Sequence, residues 1–150
     1  MTTSSARTTA MTRAERDHLT SDLRMACMRI SRRVRFESQA AVPPHQFSVL
    51  VRLEDGPHTP KELADIERVS APSMTRTVSG LVESGLVDRA DDPTDGRQVI
   101  LSLTVEGKRT IRDTRCRRDQ WLALRLERLT DDERALMAEA TALLERLAAE

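Results

Sequence analysis

The chain of 150 residues is long enough to bury one sizeable core and shorter than two independent cores usually need. Charged residues make up 32% of the sequence and aromatic residues only 2%, a mixture that favours long amphipathic helices over a β-sandwich. The formal net charge is zero, and the two cysteines and three histidines lack the spacing of a disulfide framework or a zinc site.

The amino-terminal region predicts a disordered tail followed by one long helix. Residues 1–11 are mainly Thr, Ser and Ala without an apolar segment, which excludes a signal peptide. Nowhere do 18 apolar residues run together, so we expect a cytoplasmic protein without a membrane span. A helix is predicted over 12–41, because Thr12 and Glu15 form a capping box and apolar residues then recur at steps of three and four: Leu19, Leu23, Cys27, Ile30 and Val34.

Three shorter helices are predicted next, each bounded by proline, glycine or a hydroxyl cap. The second helix spans about 44–53 and stops at Gly56 and Pro57. The third starts with the sequence TPKE at 59–62, which supplies a hydroxyl cap, a first-turn proline and a returning glutamate, and it ends near Arg68. The fourth restarts at SAPS, 70–73, and ends at Gly85, a residue suited to the left-handed conformation after a helix.

A β-hairpin and two long helices complete the prediction. Residues 86–90 and 98–103 are short, β-branched or alternating, which indicates paired strands joined by a loop over 91–97. Apolar residues then mark a helix after Thr104, and Thr130 with Glu133 caps a last helix. The predicted fold is mainly α with a small β-hairpin. This order of elements is that of a winged helix-turn-helix core flanked by amino- and carboxy-terminal dimerisation helices.

The start of the fourth helix carries the features of a DNA-reading helix. Small residues there let its backbone approach the major groove, and the free N–H groups of a helix start favour phosphate. We predict DNA contacts from the hydroxyls and the one long cation of this stretch, with Arg76 on a guanine edge or a phosphate: Ser70, Ser73, Thr75, Arg76 and Thr77. The alternative is that these are only cap and surface residues of a solvated helix.

The loop of the hairpin offers a second contact. Asp95, Gly96 and Arg97 let the chain turn at the glycine and place a carboxylate two residues before a guanidinium. We predict that Asp95 holds Arg97 extended, because arginine is the side chain that a narrow minor groove attracts. The alternative is a surface turn with an exposed ion pair of little energetic weight.

Three stretches of this region resemble the MarR family of bacterial transcription regulators: ELA in the third helix, TRTVSGLVESGLVDR, and DPTDGRQVILSLTVEG. Residues 43–107 carry this likeness. The resemblance implies a single domain over 12–150, with a winged helix-turn-helix core at about 43–107 and dimerisation helices at about 12–41 and 108–149. It also implies a homodimer, a palindromic double-stranded DNA operator, and repression relieved by a small ligand or an oxidant.

Matching positions extend the resemblance to single residues. Ser73, Thr75 and Arg76 match the DNA-facing helix residues of the family, and Asp95 with Arg97 matches its wing pair. Two departures lie in the fourth helix. Polar residues are usual where Ala71 and Pro72 stand, which favours readout of DNA shape over direct base contacts, and Gly80 replaces a larger residue at a cost of about 1 kcal/mol.

Other functions find less support in the sequence. Residues 57–110 hold seven basic and nine acidic side chains, hence −2, which supports a winged-helix protein-interaction module without DNA binding as the alternative. We find no catalytic motif, no metal site and no cofactor site, so an enzyme is not expected. Cys27 is expected to pack as a small hydrophobe, whereas Cys116, among arginines, is the better redox candidate. No residue pattern identifies the effector site.

Overall fold

The computed structural model describes residues 10–149 of the chain. Its architecture is mainly helical with one two-stranded antiparallel hairpin, which confirms the predicted fold class. Residues 1–9, most of the predicted disordered tail, lie outside the described residues. The elements in chain order are α1 (Arg13–Glu37), α2 (Pro44–Arg52), α3 (Pro60–Glu67), α4 (Ala71–Glu83), β1 (Val87–Asp91), β2 (Val99–Leu103), α5 (Val105–Leu126) and α6 (Asp131–Ala149).

The chain divides into two compact units, Met1–Arg33 and Val34–Glu150. In the first unit, α1 begins at the predicted capping box: the amide of Thr12 donates to Glu15 Oε2 at 2.8 Å, and the amide of Glu15 donates to Thr12 Oγ1 at 3.3 Å. None of the residues of α1 is buried, and Cys27 is exposed. The prediction that Cys27 packs as a small hydrophobe is therefore wrong for the single chain. An apolar stripe in the sequence shows which face of a helix is suited to burial. It does not show whether the same chain or another chain buries that face.

The carboxy-terminal end of α1 comes earlier than predicted. The helix stops at Glu37 and not near residue 41, before the prolines that were expected to end it. Gln39 follows with φ +51°, a left-handed conformation that an α-helix does not continue. Arg117 Nη1 of α5 donates to the carbonyl of Gln39 at 2.8 Å. A hydrogen bond from a distant segment thus accompanies the end of α1, and the local sequence does not predict that hydrogen bond.

The hydrophobic core lies in the second unit, between α2, α3, α4, the hairpin and the start of α5. The apolar faces of these elements meet there, and Val99 and Leu103 of β2 pack against them. This core joins the helix-turn-helix to the hairpin. Its buried residues are Phe47, Val49, Leu50, Leu53, Leu63, Ala64, Met74, Val78, Leu81, Leu86, Val87, Leu101 and Ile111.

The hairpin pairs in the register Val87 with Leu103 through Asp91 with Val99. The strands begin one residue later than predicted at 86 and 98, and Leu101 is fully buried as the alternation predicts. His58, just before α3, adds a bridge to β2. Its amide donates to the carbonyl of Leu101 at 3.1 Å, and the amide of Leu101 donates back at 2.8 Å. The hairpin is therefore anchored to the segment that starts the helix-turn-helix.

Polar contacts fix α3 and α5 against α2. Glu67 at the end of α3 accepts from Ser48 Oγ at 2.5 Å and from Arg52 Nε at 2.8 Å. Burial raises the pKa of Glu67, but these hydrogen bonds outweigh it and the pKa lies below its usual range. On the other side, Arg115 of α5 makes two hydrogen bonds with Glu54, at 3.0 and 2.6 Å.

Helix α5 starts at a crowded junction with the end of α4. Thr104 caps the helix: its Oγ1 accepts from the amide of Gly107 at 2.9 Å and donates to the carbonyl of Gly85 at 2.8 Å. Gly85 has φ +70°, as predicted for a glycine after a helix. A Cβ atom on Gly107 would collide with the carbonyl oxygen of Leu86 and lie 3.1 Å from Leu103 Cδ2.

The two carboxy-terminal helices bury less apolar surface than the sequence suggests. In α5 the buried face holds Thr110, Thr114 and Trp121 besides Ile111, while the predicted stripe residue Leu122 is 37% exposed. In α6 no residue is buried. A stripe of large apolar side chains therefore lies open along α6: Leu136, Met137, Leu143 and Leu147.

We predict that Gly107→Ala destabilises the fold. Helix propensity alone would favour alanine by about 1 kcal/mol, but the clash with the Leu86 carbonyl should cost more, so a net loss of about 2 kcal/mol is expected. Thermal unfolding followed by circular dichroism measures it. Gly96→Ala is the control, because a Cβ there meets no atom within 4 Å. A Gly107→Ala variant as stable as the parent chain would contradict the packing at this junction.

Candidate nucleic-acid interface

Local hydrogen bonds fix both ends of α3, the helix that precedes the turn to α4. At the start of α3, the amide of Thr59 donates to Glu62 Oε2 at 2.8 Å, and this hydrogen bond holds the pKa of Glu62 below its usual range. At its end, Arg68 takes a left-handed conformation with φ +53°, and the amide of Val69 donates to the carbonyl of Ala64 at 3.0 Å. The helix thus stops within one residue, and α4 follows at Ala71 with Ser70 as its N-cap.

The predicted orientation of α4 is confirmed. Met74 and Val78 are 2% and 5% exposed and point into the core. Thr75 and Arg76, on the opposite face, are exposed, as are Ala71 and Pro72 of the first turn. The start of the helix therefore offers backbone and short side chains to solvent, while its inner face holds it in the core.

The hydroxyl groups at the start of α4 form hydrogen bonds within the helix. Ser70 Oγ donates to Ser73 Oγ at 3.0 Å and accepts weakly from the amide of Ser73 at 3.4 Å. Thr75 Oγ1 donates to the carbonyl of Ala71 at 2.9 Å, and Thr77 Oγ1 donates to that of Ser73 at 3.1 Å. Each threonine hydroxyl still has free lone pairs, but to donate to a phosphate it must rotate away from its carbonyl.

Arg76 lies along the outer face of α4. Its Nε is 3.4 Å from the carbonyl of Pro72, one turn earlier, so the side chain folds back toward the helix start. No carboxylate of the described residues lies within ion-pair distance of this guanidinium. Its two terminal nitrogens can therefore reach an external acceptor without first breaking an ion pair.

The wing loop is organised around two aspartates. Asp92 accepts from Thr94 Oγ1 and from the amide of Thr94, both at 2.7 Å, and these hydrogen bonds lower the pKa of Asp92. Asp95 Oδ1 accepts from the amide of Arg97 at 3.1 Å, and Oδ2 accepts from Gln98 Nε2 at 3.2 Å. The two aspartates thus hold the loop by hydrogen bonds from its backbone amides and from two of its side chains, a usual role of aspartate in turns.

One part of the wing prediction needs correction. Asp95 was expected to hold the Arg97 guanidinium, but its carboxylate bonds the main chain of Arg97 instead. The reason is geometric: two residues apart, an aspartate closes an Asx-type turn with the backbone more easily than it reaches a long side chain. The turn does fall at Gly96 and Arg97, but the φ of Gly96 is not positive, so the turn does not require glycine. Arg97 remains exposed and points away from the core.

The seven predicted contact residues lie in two places of the structure, the start of α4 and the wing loop. Ser70, Ser73, Thr75, Arg76 and Thr77 lie on the first two turns of α4, and Asp95 with Arg97 lies in the wing. Sequence reasoning missed Asp92, Thr94 and Gln98, which shape the wing. The stretch DPTD at 92–95 was the available signal, because aspartate two residues before a threonine is typical of an Asx turn.

Among residues 10–149, no group of three or more His, Cys, Asp or Glu side chains is arranged to hold a metal ion. None of the helices in this range combines the length and apolar character that a membrane span requires.

Comparisons with known proteins agree with this geometry. The profile of the MarR family matches residues 42–98. An HTH-type transcriptional regulator of Mycobacterium bovis is 43% identical over 128 residues, which cover 84% of this chain and 90% of the relative. Among solved structures, a cysteine-to-serine mutant of MarR from E. coli is 27% identical with a TM-score of 0.71, covering 87% of this chain and 96% of its own.

A more distant likeness concerns a mutant of MepR from S. aureus bound to an oligodeoxyribonucleotide. That structure has a TM-score of 0.64 over 85% of this chain and 96% of its own, with 20% sequence identity, and it shows the shared fold alone. The alignment with the Mycobacterium bovis regulator, by contrast, includes helices on both sides of the winged core. With 43% identity over most of both sequences, the chain belongs to the MarR family of transcriptional regulators.

Proposed function

We propose that this regulator is a homodimer that binds a palindromic double-stranded DNA operator as a repressor and releases it when a small ligand binds. One observation carries the proposal: α4 presents an exposed start with small residues, hydroxyls and Arg76, and the same core holds a wing with an exposed Arg97. The MepR mutant, whose structure includes an oligodeoxyribonucleotide, shares this fold.

In this proposal α4 enters the major groove. Its first turn carries Ala71 and Pro72, which are too small to keep the backbone away from the bases, and its free N–H groups favour phosphate. Arg76 contacts a guanine edge or a phosphate, since it is the one long cation on this exposed stretch. Ser70, Ser73 and Thr77 contact phosphates after their hydroxyls rotate.

The wing supplies the second contact. Arg97 enters the minor groove, where a narrow A·T-rich segment concentrates negative potential. Asp95 supports it indirectly, because its carboxylate fixes the backbone at Arg97 and Gln98 and so fixes where the guanidinium starts. A rigid loop loses less conformational entropy when it binds.

Dimerisation is supported by the helices at both ends of the chain. No residue of α1 or α6 is buried, although both helices carry apolar stripes. Stripes of this size are rarely left open on a monomer. A second copy would cover them with the same stripes, and a two-fold dimer would present two α4 helices to a palindromic site.

A protein-interaction module without DNA binding stays the second candidate. The hairpin supports it, because residues 87–103 carry four acidic and only two basic side chains, hence −2. Negative charge at the wing opposes the approach of phosphate. Gel shifts at increasing salt concentration distinguish the two functions. A DNA binder loses affinity for duplex DNA steeply as salt rises, and an interaction module does not retard duplex DNA.

Arg97→Ala should weaken operator binding roughly tenfold while the dimer stays intact. The variant removes one cation from the groove, so the slope of log affinity against log salt should also become less negative by about 1. Gel-shift titrations on a fragment recovered by footprinting of bound genomic DNA measure both. Arg128→Ala, at an exposed position after α5, is the matched control. Equal affinity of Arg97→Ala and Arg128→Ala would contradict the wing contact.

Arg76→Ala should weaken binding by a similar factor and also change base preference. A guanine contact discriminates between bases by about 1–3 kcal/mol, whereas a phosphate contact does not discriminate. Selection of bound sequences from a randomised operator library distinguishes the two. A relaxed preference at one position per half-site indicates a guanine, and a uniform loss of affinity indicates a phosphate. Unchanged affinity would remove Arg76 from the interface.

Leu143→Glu should convert the dimer to a monomer at micromolar concentration. The change places a charge in the middle of the open stripe of α6, where a partner surface would have to desolvate it. Light scattering gives the solution mass. Ala138→Glu is the matched control, because the exposed residue 138 lies about 140° around α6 from Leu143 and should leave the dimer intact. A parent chain with the mass of one copy would reject the dimer itself.

A further inference from the structure

The turn between α3 and α4 holds an arginine in a conformation that residues other than glycine seldom adopt. Arg68 has φ +53° and follows the end of α3. Its amide donates to the carbonyl of Asp65 at 3.3 Å, and the amide of Val69 donates to the carbonyl of Ala64 at 3.0 Å. These two hydrogen bonds form a Schellman motif, whose left-handed position usually holds glycine. Arginine is strained there, because its Cβ atom lies too close to the following carbonyl oxygen.

The side chain of Arg68 makes no contact within the structure that offsets this strain. Arg68 is exposed, and its guanidinium forms no hydrogen bond or ion pair with any of residues 10–149. The neighbouring carboxylate of Glu67 is already engaged, because it accepts from Ser48 Oγ at 2.5 Å and from Arg52 Nε at 2.8 Å. Strained backbone conformations concentrate at functional sites. The guanidinium of Arg68 is therefore free to bind an acceptor outside the chain.

Arg68 lies close to the start of α4, two residues before the N-cap Ser70. Consecutive Cα atoms are about 3.8 Å apart, so the Cα atoms of Arg68 and Ser70 lie within about 7.6 Å of each other. This distance is comparable to the length of an extended arginine side chain. An anion bound at the first turn of α4 would therefore lie within reach of the guanidinium.

The first turn of α4 has few free donors of its own. Pro72 has no amide hydrogen. The amide of Ser73 donates to Ser70 Oγ at 3.4 Å, and the amide of Met74 donates to the Ser70 carbonyl at 3.0 Å. Among the first four residues of α4, only Ala71 keeps a free amide. Because a phosphate accepts several hydrogen bonds, a phosphate at this helix start needs a further donor.

We propose that Arg68 binds a DNA phosphate at the start of α4, together with the amide of Ala71 and the hydroxyl of Ser70. The guanidinium offers two parallel N–H groups to the phosphate oxygens, a geometry that is specific to arginine. This contact rests on the proposed DNA binding and adds to it a residue outside α4 and the wing. Glycine at position 68 would give a less strained turn but no contact with DNA.

Gel-shift titrations of variants at position 68 test the contact on duplex DNA that the parent chain protects. Arg68→Asn removes the charge but tolerates the left-handed conformation. It should weaken binding about tenfold, and the slope of log affinity against log salt should become less negative by about 1 for each copy of the chain on the DNA. Arg68→Lys keeps the charge and should bind within about threefold of the parent chain. Arg128→Asn, at an exposed position after α5, is the matched control and should bind as the parent chain does.

Arg68→Gly distinguishes a DNA contact from a structural role. Glycine adopts the left-handed conformation without strain, so the midpoint of thermal unfolding should rise by about 2–4 °C while affinity for DNA falls as in Arg68→Asn. A structural role would lower stability and affinity together, and that result would overturn the proposal. A parent chain that binds DNA no more tightly than Arg68→Asn does would reject the contact alone. A parent chain that protects no duplex DNA would reject the proposed function and this contact with it.

Discussion

The cap of α5 is the contact on which the winged helix-turn-helix, made of α3, α4 and the hairpin, depends. Thr104 accepts the amide of Gly107 and donates to the carbonyl of Gly85, while its own amide donates to the carbonyl of Leu86 at 3.2 Å. One residue thus ends the hairpin, starts α5 and fastens both to the end of α4. The tight approach of Gly107 to the Leu86 carbonyl makes this possible. Because α4 and the hairpin are tied at this point, the core sets the position of the hairpin relative to α4.

Local signals predicted most of the fold. Three hydroxyl-and-glutamate capping boxes, a glycine after α4 and the alternation in β2 each depend on contacts within a few residues, and the structure has all of them. The end of α1 was missed because it involves Gln39 and Arg117, which lie 78 residues apart. Gly80 is a second such case. The sequence shows only that glycine lowers the helix propensity of α4, whereas in the structure a Cβ at this position would lie 3.1 Å from Gln46 Nε2 of α2.

The outward-facing residues of the candidate DNA interface were predicted from the sequence, but the hydrogen bonds of their side chains were not. Which residues face outward follows from the helical phase set by Met74 and Val78, so the sequence suffices. The hydroxyls of Thr75 and Thr77 instead donate to carbonyls one turn earlier, and Asp95 bonds main chain rather than guanidinium. These choices depend on competition between nearby acceptors. A phosphate that accepted from these threonine hydroxyls would have to replace existing hydrogen bonds on α4, so such contacts would add orientation more than affinity.

Helix α5 runs from the core beside the hairpin to the segment that follows α1. Its residue Ile111 lies in the core, and its residue Arg117 donates to the carbonyl of Gln39 at 2.8 Å. Ten positions separate Gly107 from Arg117, about 15 Å along a helix. The helix that Thr104 caps therefore also contacts the left-handed residue that follows α1.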